Sequence, residues 1–138
     1  MARGSPVNPP WLPQAYPFRQ VDRVLERDPP RRCVTLKVFS ADELLLEGSD
    51  TVPPSLVLEA LCQSAACFDP DGSWGEGRIL RIEEAMMSGK VKPGDRLIVS
   101  TTLLEQGALG LRAESVGAVE GKEVARLRLF VRTGGPPG

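Results

Sequence analysis

The sequence predicts an α+β fold in which one long central helix is wrapped by a curved antiparallel β-sheet. Two observations lead to this prediction: a helix-forming stretch that is apolar nearly all round, and short turns between the strand-like segments that follow it. A flat sheet covers one side of a helix, so the sheet should curl and a second subunit should cover the remaining side. A chain of 138 residues is long enough for one such domain.

The helix is predicted over Ser55–Phe68. Two prolines precede it, where the first turn accepts them, and Asp69-Pro70 ends it. Its polar interruptions are Glu59, Gln63 and Ser64. A carboxylate on an enclosed helix is costly unless it is paired, hydrogen-bonded or used in chemistry, which makes Glu59 the leading functional candidate. The structural alternative is a hydrogen bond between Glu59 and Gln63, one turn further on.

Strands are predicted in six segments: Phe18–Glu26, Arg31–Phe39, Arg78–Ala85, Arg96–Glu105, Ala108–Val119 and Lys122–Arg132. Turns at Gln106-Gly107 and Glu120-Gly121 are short enough to require antiparallel hairpins. In the second segment Val34, Leu36 and Val38 alternate with Thr35 and Lys37; in the last, the predicted core face is Ala125, Leu127, Leu129 and Val131. Residues 1–10 are predicted to be a flexible arm, 11–133 a single domain and 134–138 a flexible tail.

Composition excludes several function classes. A net charge of -1 is not that of a nucleic-acid-binding protein, and no apolar run is long enough to cross a membrane. Three cysteines, with Cys62 and Cys67 on different helix faces, favour a reduced, cytoplasmic protein. The chain contains no histidine, which removes the commonest general base and the commonest metal ligand. No residues have metal-ligand spacing, so neither a metal nor a cofactor is expected.

Four motifs, in order, resemble the β-hydroxyacyl-acyl-carrier-protein dehydratases of fatty-acid synthesis: Leu12–Phe18, Leu56–Gln63, Ile82–Ala85 and Val91–Asp95. The resemblance implies a hot-dog fold. It also implies a homodimer or higher homo-oligomer, and acyl-carrier-protein or coenzyme A thioesters as ligands. Glu59 aligns with the family's catalytic helix carboxylate, and Gln63 follows it on the same helix.

The departures from the family concern the reacting groups. Ser49 lies nearest the position of the family's catalytic histidine, and Gln14 corresponds to its second usual histidine. Pro54 takes the place of a glycine whose N–H should polarise the thioester carbonyl, and proline has no N–H. Ser55 and Leu56 are left to offer N–H groups there. The resemblance therefore implies Glu59 as the catalytic residue and Gln63, Ser55, Ser49 and Gln14 as substrate-binding residues.

Dehydration of a 3-hydroxyacyl thioester needs a base for the C2 proton, an acid for the departing hydroxyl and donors for the carbonyl oxygen. Glu59 alone is poorly placed to serve two of these roles. We therefore expect a protein that binds 3-hydroxyacyl or enoyl thioesters without ordinary dehydratase activity. Two alternatives stay open: an acyl thioesterase that uses Glu59, and a non-catalytic partner subunit of an active hot-dog enzyme.

Overall fold

A computed structural model describes residues 21–28, 31–40, 50–65 and 79–132. The predictions for Gln14, Ser49, the N-terminal arm and the C-terminal tail lie outside these residues. Within the described residues seven elements follow one another: β1 Arg23–Asp28, β2 Arg32–Val38, α1 Pro54–Ser64, β3 Ile79–Met87, β4 Arg96–Gly107, β5 Gly110–Val119 and β6 Lys122–Arg132.

All six strands form one sheet in the order β1-β2-β4-β5-β6-β3, and every neighbouring pair is antiparallel. One helix packed against this sheet confirms the predicted α+β class. The β5–β6 hairpin turns where predicted, with Glu120 and Gly121 at φ of 52° and 78°, as a tight two-residue hairpin requires. The β4–β5 turn was predicted too early, because Gly107 still pairs with Gly110 and the chain turns at residues 108–109.

The helix packs closely against the middle of the sheet because Gly117 has no side chain. A Cβ atom at this position would lie 3.1 Å from the Cδ1 atoms of both Leu61 and Leu97. The predicted core face of the last strand is confirmed, with every member at most 1% exposed: Ala125, Leu127, Leu129 and Val131. We call the face of the sheet that carries these residues and the helix the concave face, and the opposite face the convex face.

The alternation predicted for β2 is present, but the helix lies on its polar side. The Thr35 hydroxyl is 2.7 Å from that of Ser64 on α1. Lys37 is only 4% exposed; its ammonium lies 3.4 Å from the Asp22 carboxylate and 5.1 Å from the centre of the Phe39 ring. Alternation shows which side chains share a face of the strand but not which face meets the helix. Both faces of β2 are buried, because Val34 and Leu36 are buried along with Thr35 and Lys37.

A network of ion pairs on the convex face holds the edge strand β3 to the sheet. Glu83 lies where the β3–β6 register shifts, and Arg112 of β5 donates to its two carboxylate oxygens at 2.7 and 3.1 Å. Arg112 also donates to Glu105 of β4 at 2.8 Å. Between them, the Phe130 ring of β6 lies under the guanidinium groups of Arg81 and Arg112. These contacts connect four strands side by side.

We expect the Glu83–Arg112 contact to make stability depend on pH. The hydrogen bond from Arg112 lowers the pKa of the Glu83 carboxyl below its ordinary value of about 4.5. A carboxyl whose pKa is lowered in the folded state stabilises the fold at pH values above its pKa in the unfolded chain. This stabilisation is lost as the pH falls through its pKa in the folded state. Glu83→Gln should therefore lower the urea midpoint of unfolding at pH 7, and the difference from wild type should shrink as the pH falls below about 4.5 and through the lowered pKa of Glu83.

Urea titrations of both proteins between pH 7 and pH 3 test this prediction. Glu120→Gln, in the exposed β5–β6 turn, is the control and should unfold at the wild-type midpoint throughout. A Glu83→Gln deficit that persists unchanged at pH 3 would show that the charge of Glu83 is not its cause.

Candidate functional site

One side of α1 is open in the single chain. Four side chains spaced three and four residues apart form this open stripe, namely Ser55, Leu58, Glu59 and Cys62. Ser55 and Glu59 are exposed, whereas Leu58 and Cys62 are half-buried. The opposite stripe is buried against the sheet and consists of Val57, Ala60, Leu61 and Ser64. A single chain thus encloses only half of the helix that the sequence predicts to be covered all round.

Glu59 lies in the middle of the open stripe. Its Oε1 atom accepts a hydrogen bond from Nε2 of Gln63 at 3.1 Å, the interaction expected as the structural alternative. Gln63 itself is only 4% exposed, so its amide is held in place by its surroundings. A carboxylate has two oxygens and can accept several hydrogen bonds, so one bond from Gln63 orients Glu59 and leaves it able to contact a ligand.

The first turn of α1 offers a single backbone donor. Pro53 is the N-cap and Pro54 the first helical residue, and neither has an N–H. The N–H of Leu56 donates to the Pro53 carbonyl at 3.0 Å, so the expectation that Leu56 offers a donor is wrong. Within the described residues the Ser55 N–H makes no backbone hydrogen bond. It is the remaining donor at the positive end of the helix dipole.

Ser55 and Glu59 are both exposed, one helical turn apart on the same stripe, and the Ser55 N–H lies in the first turn of this helix. This arrangement can polarise one carbonyl and move one proton, or direct one water molecule. It contains one acid–base group, which is fewer than an elimination reaction uses.

Two hydroxyl pairs on the concave face were not predicted. Thr101 and Ser115, directly opposite each other on β4 and β5, are buried with their hydroxyl oxygens 2.8 Å apart. Ser64, the partner of Thr35, also donates to the Ala60 carbonyl at 2.8 Å. For Thr101 and Ser115 the sequence signal was a hydroxyl at a position where the strand alternation calls for an apolar residue; Thr35 and Ser64 gave no such signal. Because these hydroxyls bond to each other, they serve packing.

The described residues contain no group of three histidine, cysteine, aspartate or glutamate side chains placed to hold a metal ion. Cys33 and Cys62 form no disulfide within the described residues. None of the helices in these residues is long and apolar enough to cross a membrane.

Two bacterial dehydratases have similar sequences over most of this chain. 3-Hydroxyacyl-acyl-carrier-protein dehydratase FabZ of Geobacillus thermodenitrificans is 31% identical over 134 residues, which cover 91% of this chain and 92% of the relative. The enzyme of the same name from Polynucleobacter asymbioticus is 36% identical, over 83% of this chain and 80% of its own. No family model matches the chain.

A solved structure has the same fold. The Dehydratase Heterocomplex ApeI:P from Xenorhabdus doucetiae aligns with a TM-score of 0.71 over 96% of this chain and 93% of its own, at 15% sequence identity. At this identity the likeness concerns the fold alone. It confirms the predicted hot-dog fold.

Proposed function

Because the chain belongs to the FabZ family of 3-hydroxyacyl-acyl-carrier-protein dehydratases, we propose that it binds 3-hydroxyacyl or enoyl thioesters along the open stripe of α1. Its dehydratase-like place in fatty-acid and thioester metabolism follows from the family. Acyl carrier protein or coenzyme A carries the acyl group. The observation that supports the site is that Ser55 and Glu59 are both exposed one helical turn apart, and that the Ser55 N–H makes no hydrogen bond to another described backbone group.

The roles of the individual residues follow from their positions. The Ser55 N–H binds the thioester carbonyl oxygen, and Glu59 faces the atoms next to that carbonyl. Gln63 acts indirectly, because its amide is bonded to Glu59 and fixes the direction of the carboxylate. Ser49 and Gln14 remain proposed substrate contacts on the strength of the family resemblance.

Ordinary dehydratase activity is not part of this proposal. The chain has no histidine to take the C2 proton while Glu59 protonates the leaving hydroxyl. The proline at the first helical position also removes one donor for the carbonyl oxygen. Loss of a single oxyanion donor costs on the order of 10² in rate, and here a base is missing as well.

A second candidate is acyl-thioester hydrolysis, because it needs one carboxylate to direct water and a donor for the oxyanion. The exposure of Ser55 and Glu59 on the same side of α1 favours hydrolysis as the second candidate. A third is a non-catalytic subunit that joins an active hot-dog enzyme; its support is that a chain of similar fold comes from a dehydratase heterocomplex. A cytoplasmic location, in line with cysteines that form no disulfide in the described residues, remains part of the proposal.

Mass spectrometry of the purified protein with a thioester panel tests the proposal. The panel holds enoyl, 3-hydroxyacyl and saturated acyl thioesters, each on acyl carrier protein and on coenzyme A, and native mass spectra report binding. We expect the protein to bind the enoyl and 3-hydroxyacyl thioesters without converting one into the other by gain or loss of water. The saturated thioester is the matched control, because it lacks both the C3 hydroxyl group and the C2–C3 double bond.

The outcomes separate the candidates. Gain or loss of water with an intact thioester would show that hydratase chemistry proceeds without histidine and would contradict the proposal. Release of free acid would establish the thioesterase. Absence of both binding and turnover would leave the partner-subunit role, to be pursued through what co-purifies with the chain.

A further inference from the structure

Two large leucine side chains are exposed at the end of the sheet where β4 turns into β5. Leu109 lies in the two-residue turn at 64% exposure, and Leu104 lies nearby on β4 at 46% exposure. Tight turns usually hold Gly, Pro, Asn, Asp or Ser, because these residues suit the turn backbone. The turn itself therefore gives no reason for a leucine at its tip.

A β-bulge accounts for the position of the second leucine. Leu104 is the extra residue where the register between β4 and β5 shifts, between Leu103 and Glu105. A bulge leaves its extra residue out of the ladder and redirects the side chain. Leu104 and Leu109 thus form an exposed apolar surface at the end of one hairpin, which we call the hairpin tip.

Three arginines flank the hairpin tip. Arg32 begins β2, and Arg31 precedes it beside the bulge, where its carbonyl accepts a hydrogen bond from the Leu103 N–H at 2.9 Å. Arg132 ends β6 and pairs with Gly110, the residue after the turn. Because the β4–β5 hairpin lies between β2 and β6 in the sheet, the arginines stand on both sides of it.

The charges of these arginines are not neutralised by the part of the chain that the structure describes. All three are exposed, and none of them makes an ion pair with another described residue. Glu105, the carboxylate on β4 at this end, is bonded to Arg112 at 2.8 Å. Asp28 stands opposite Arg32 in the β1–β2 ladder. Three arginines beside one such aspartate leave positive charge in excess around the hairpin tip.

We propose that the hairpin tip and its three arginines dock this protein on a membrane surface that contains anionic phospholipid. The leucine side chains enter the boundary between headgroups and acyl chains, and the arginines stay in the headgroup layer, where they pair with lipid phosphates. Two leucines on a narrow turn suit insertion between headgroups, whereas a stable protein partner needs a broad contact surface. This docking requires no segment that spans the bilayer.

The docking surface is separate from the open stripe of α1. Ser64, the last residue of α1, meets Thr35, whose partner on β4 is Val99. Leu104 lies five residues further along β4, about 16 Å away at the usual rise of a strand. Docking therefore involves none of the stripe residues, and the proposal goes beyond thioester binding.

Co-sedimentation with lipid vesicles tests the proposal. The purified chain is mixed with vesicles of equal parts phosphatidylglycerol and phosphatidylcholine, and with vesicles of phosphatidylcholine alone, at low and at high salt. We expect it to bind the anionic vesicles at low salt. Binding should weaken about tenfold or more without phosphatidylglycerol or at high salt, because the attraction between exposed charges is then missing or screened.

Two double variants test the two parts of the surface. Leu104→Ser with Leu109→Ser should weaken binding to anionic vesicles about tenfold or more, because the apolar side chains that enter the lipid are lost. Arg31→Gln with Arg32→Gln should weaken it about 25-fold, since each arginine near an anionic surface contributes about fivefold. Urea unfolding of each variant checks that the fold is kept.

Arg23→Gln with Arg96→Gln is the matched control. It removes the same number of charges from exposed arginines at the opposite end of the sheet, where Arg23 pairs with Leu36 and Arg96 with Val38. It should bind anionic vesicles within about twofold of wild type, because charges far from the lipid surface are screened.

A wild type that binds neither kind of vesicle overturns the proposal, and so does binding that is independent of lipid charge. Equal losses in the Arg31 and Arg32 double variant and in the control would show that total charge, and not this surface, attracts the chain; that result also overturns it. If acyl carrier protein binds through the hairpin tip and vesicles do not, the surface serves a protein partner and the lipid proposal is wrong. The assay contains no thioester, so failure of the proposed function leaves its result unchanged.

Discussion

Glu59→Gln is expected to leave thioester binding within about threefold of wild type and to lower any thioester turnover by about 10² to 10⁴, the usual range for loss of a general acid or base. The amide keeps the shape of the carboxylate and still accepts a hydrogen bond from Gln63, but it cannot exchange a proton at neutral pH. Native mass spectra give the binding, and the rate of acid release or water exchange gives the turnover.

The control for this experiment is Glu120→Gln, which makes the same chemical change in the exposed β5–β6 turn. It should alter neither binding nor rate. Turnover that survives in Glu59→Gln would remove Glu59 from the chemistry and place the reacting group elsewhere. Loss of binding in Glu59→Gln, with turnover absent from wild type, would instead make Glu59 a ligand contact.

Leu61→Ala is expected to destabilise the fold by about 2–5 kcal/mol, the range for truncation of a buried leucine. Leu61 is fully buried where the helix meets the sheet, next to Leu97 and the space above Gly117. Removing its branched end leaves a cavity at the closest approach of helix and sheet, where neither element can relax without disturbing the other. Urea unfolding measures the loss.

Leu109→Ala is the matched control, because Leu109 is 64% exposed in the β4–β5 turn. Its unfolding free energy should stay within about 0.5 kcal/mol of wild type. Both variants must be compared at one protein concentration, since association would make the midpoint depend on concentration. If the two substitutions had equal effects, Leu61 would not be the main contact between helix and sheet.

The chain's local patterns predicted its elements well. Helix, strands and the Glu120-Gly121 turn follow from hydrophobic periodicity and from the residues that a tight turn favours, both of which act over a few neighbouring residues. Two strand boundaries were predicted wrongly: β1 runs over Arg23–Asp28 and not to Glu26, and the β4–β5 turn comes two residues later than expected. Gln106-Gly107 reads as a turn locally, yet pairing with Gly110 and Leu111 extends the ladder past it.

The candidate site was predicted only in part. Glu59 and its hydrogen bond to Gln63 follow from helical spacing, because residues four apart share a face whatever surrounds them. Helical spacing does not predict that the Leu56 N–H donates to the Pro53 carbonyl, because this bond depends on how tightly the first turn is wound. That single bond leaves Ser55 as the remaining donor.

Periodicity and turn residues alone predict the α+β class and a curved sheet around one helix, and the sequence shows directly that the chain has no histidine. Which face of each strand meets the helix is seen first in the folded chain. The sequence places Thr35 on the same face as Lys37, and the structure shows that this face meets the helix, where Thr35 bonds to Ser64. The sequence predicts an enclosed helix, whereas Glu59 is exposed in the single chain. The physical reason is that periodicity groups side chains onto faces, whereas contacts between residues far apart in sequence choose which face is buried.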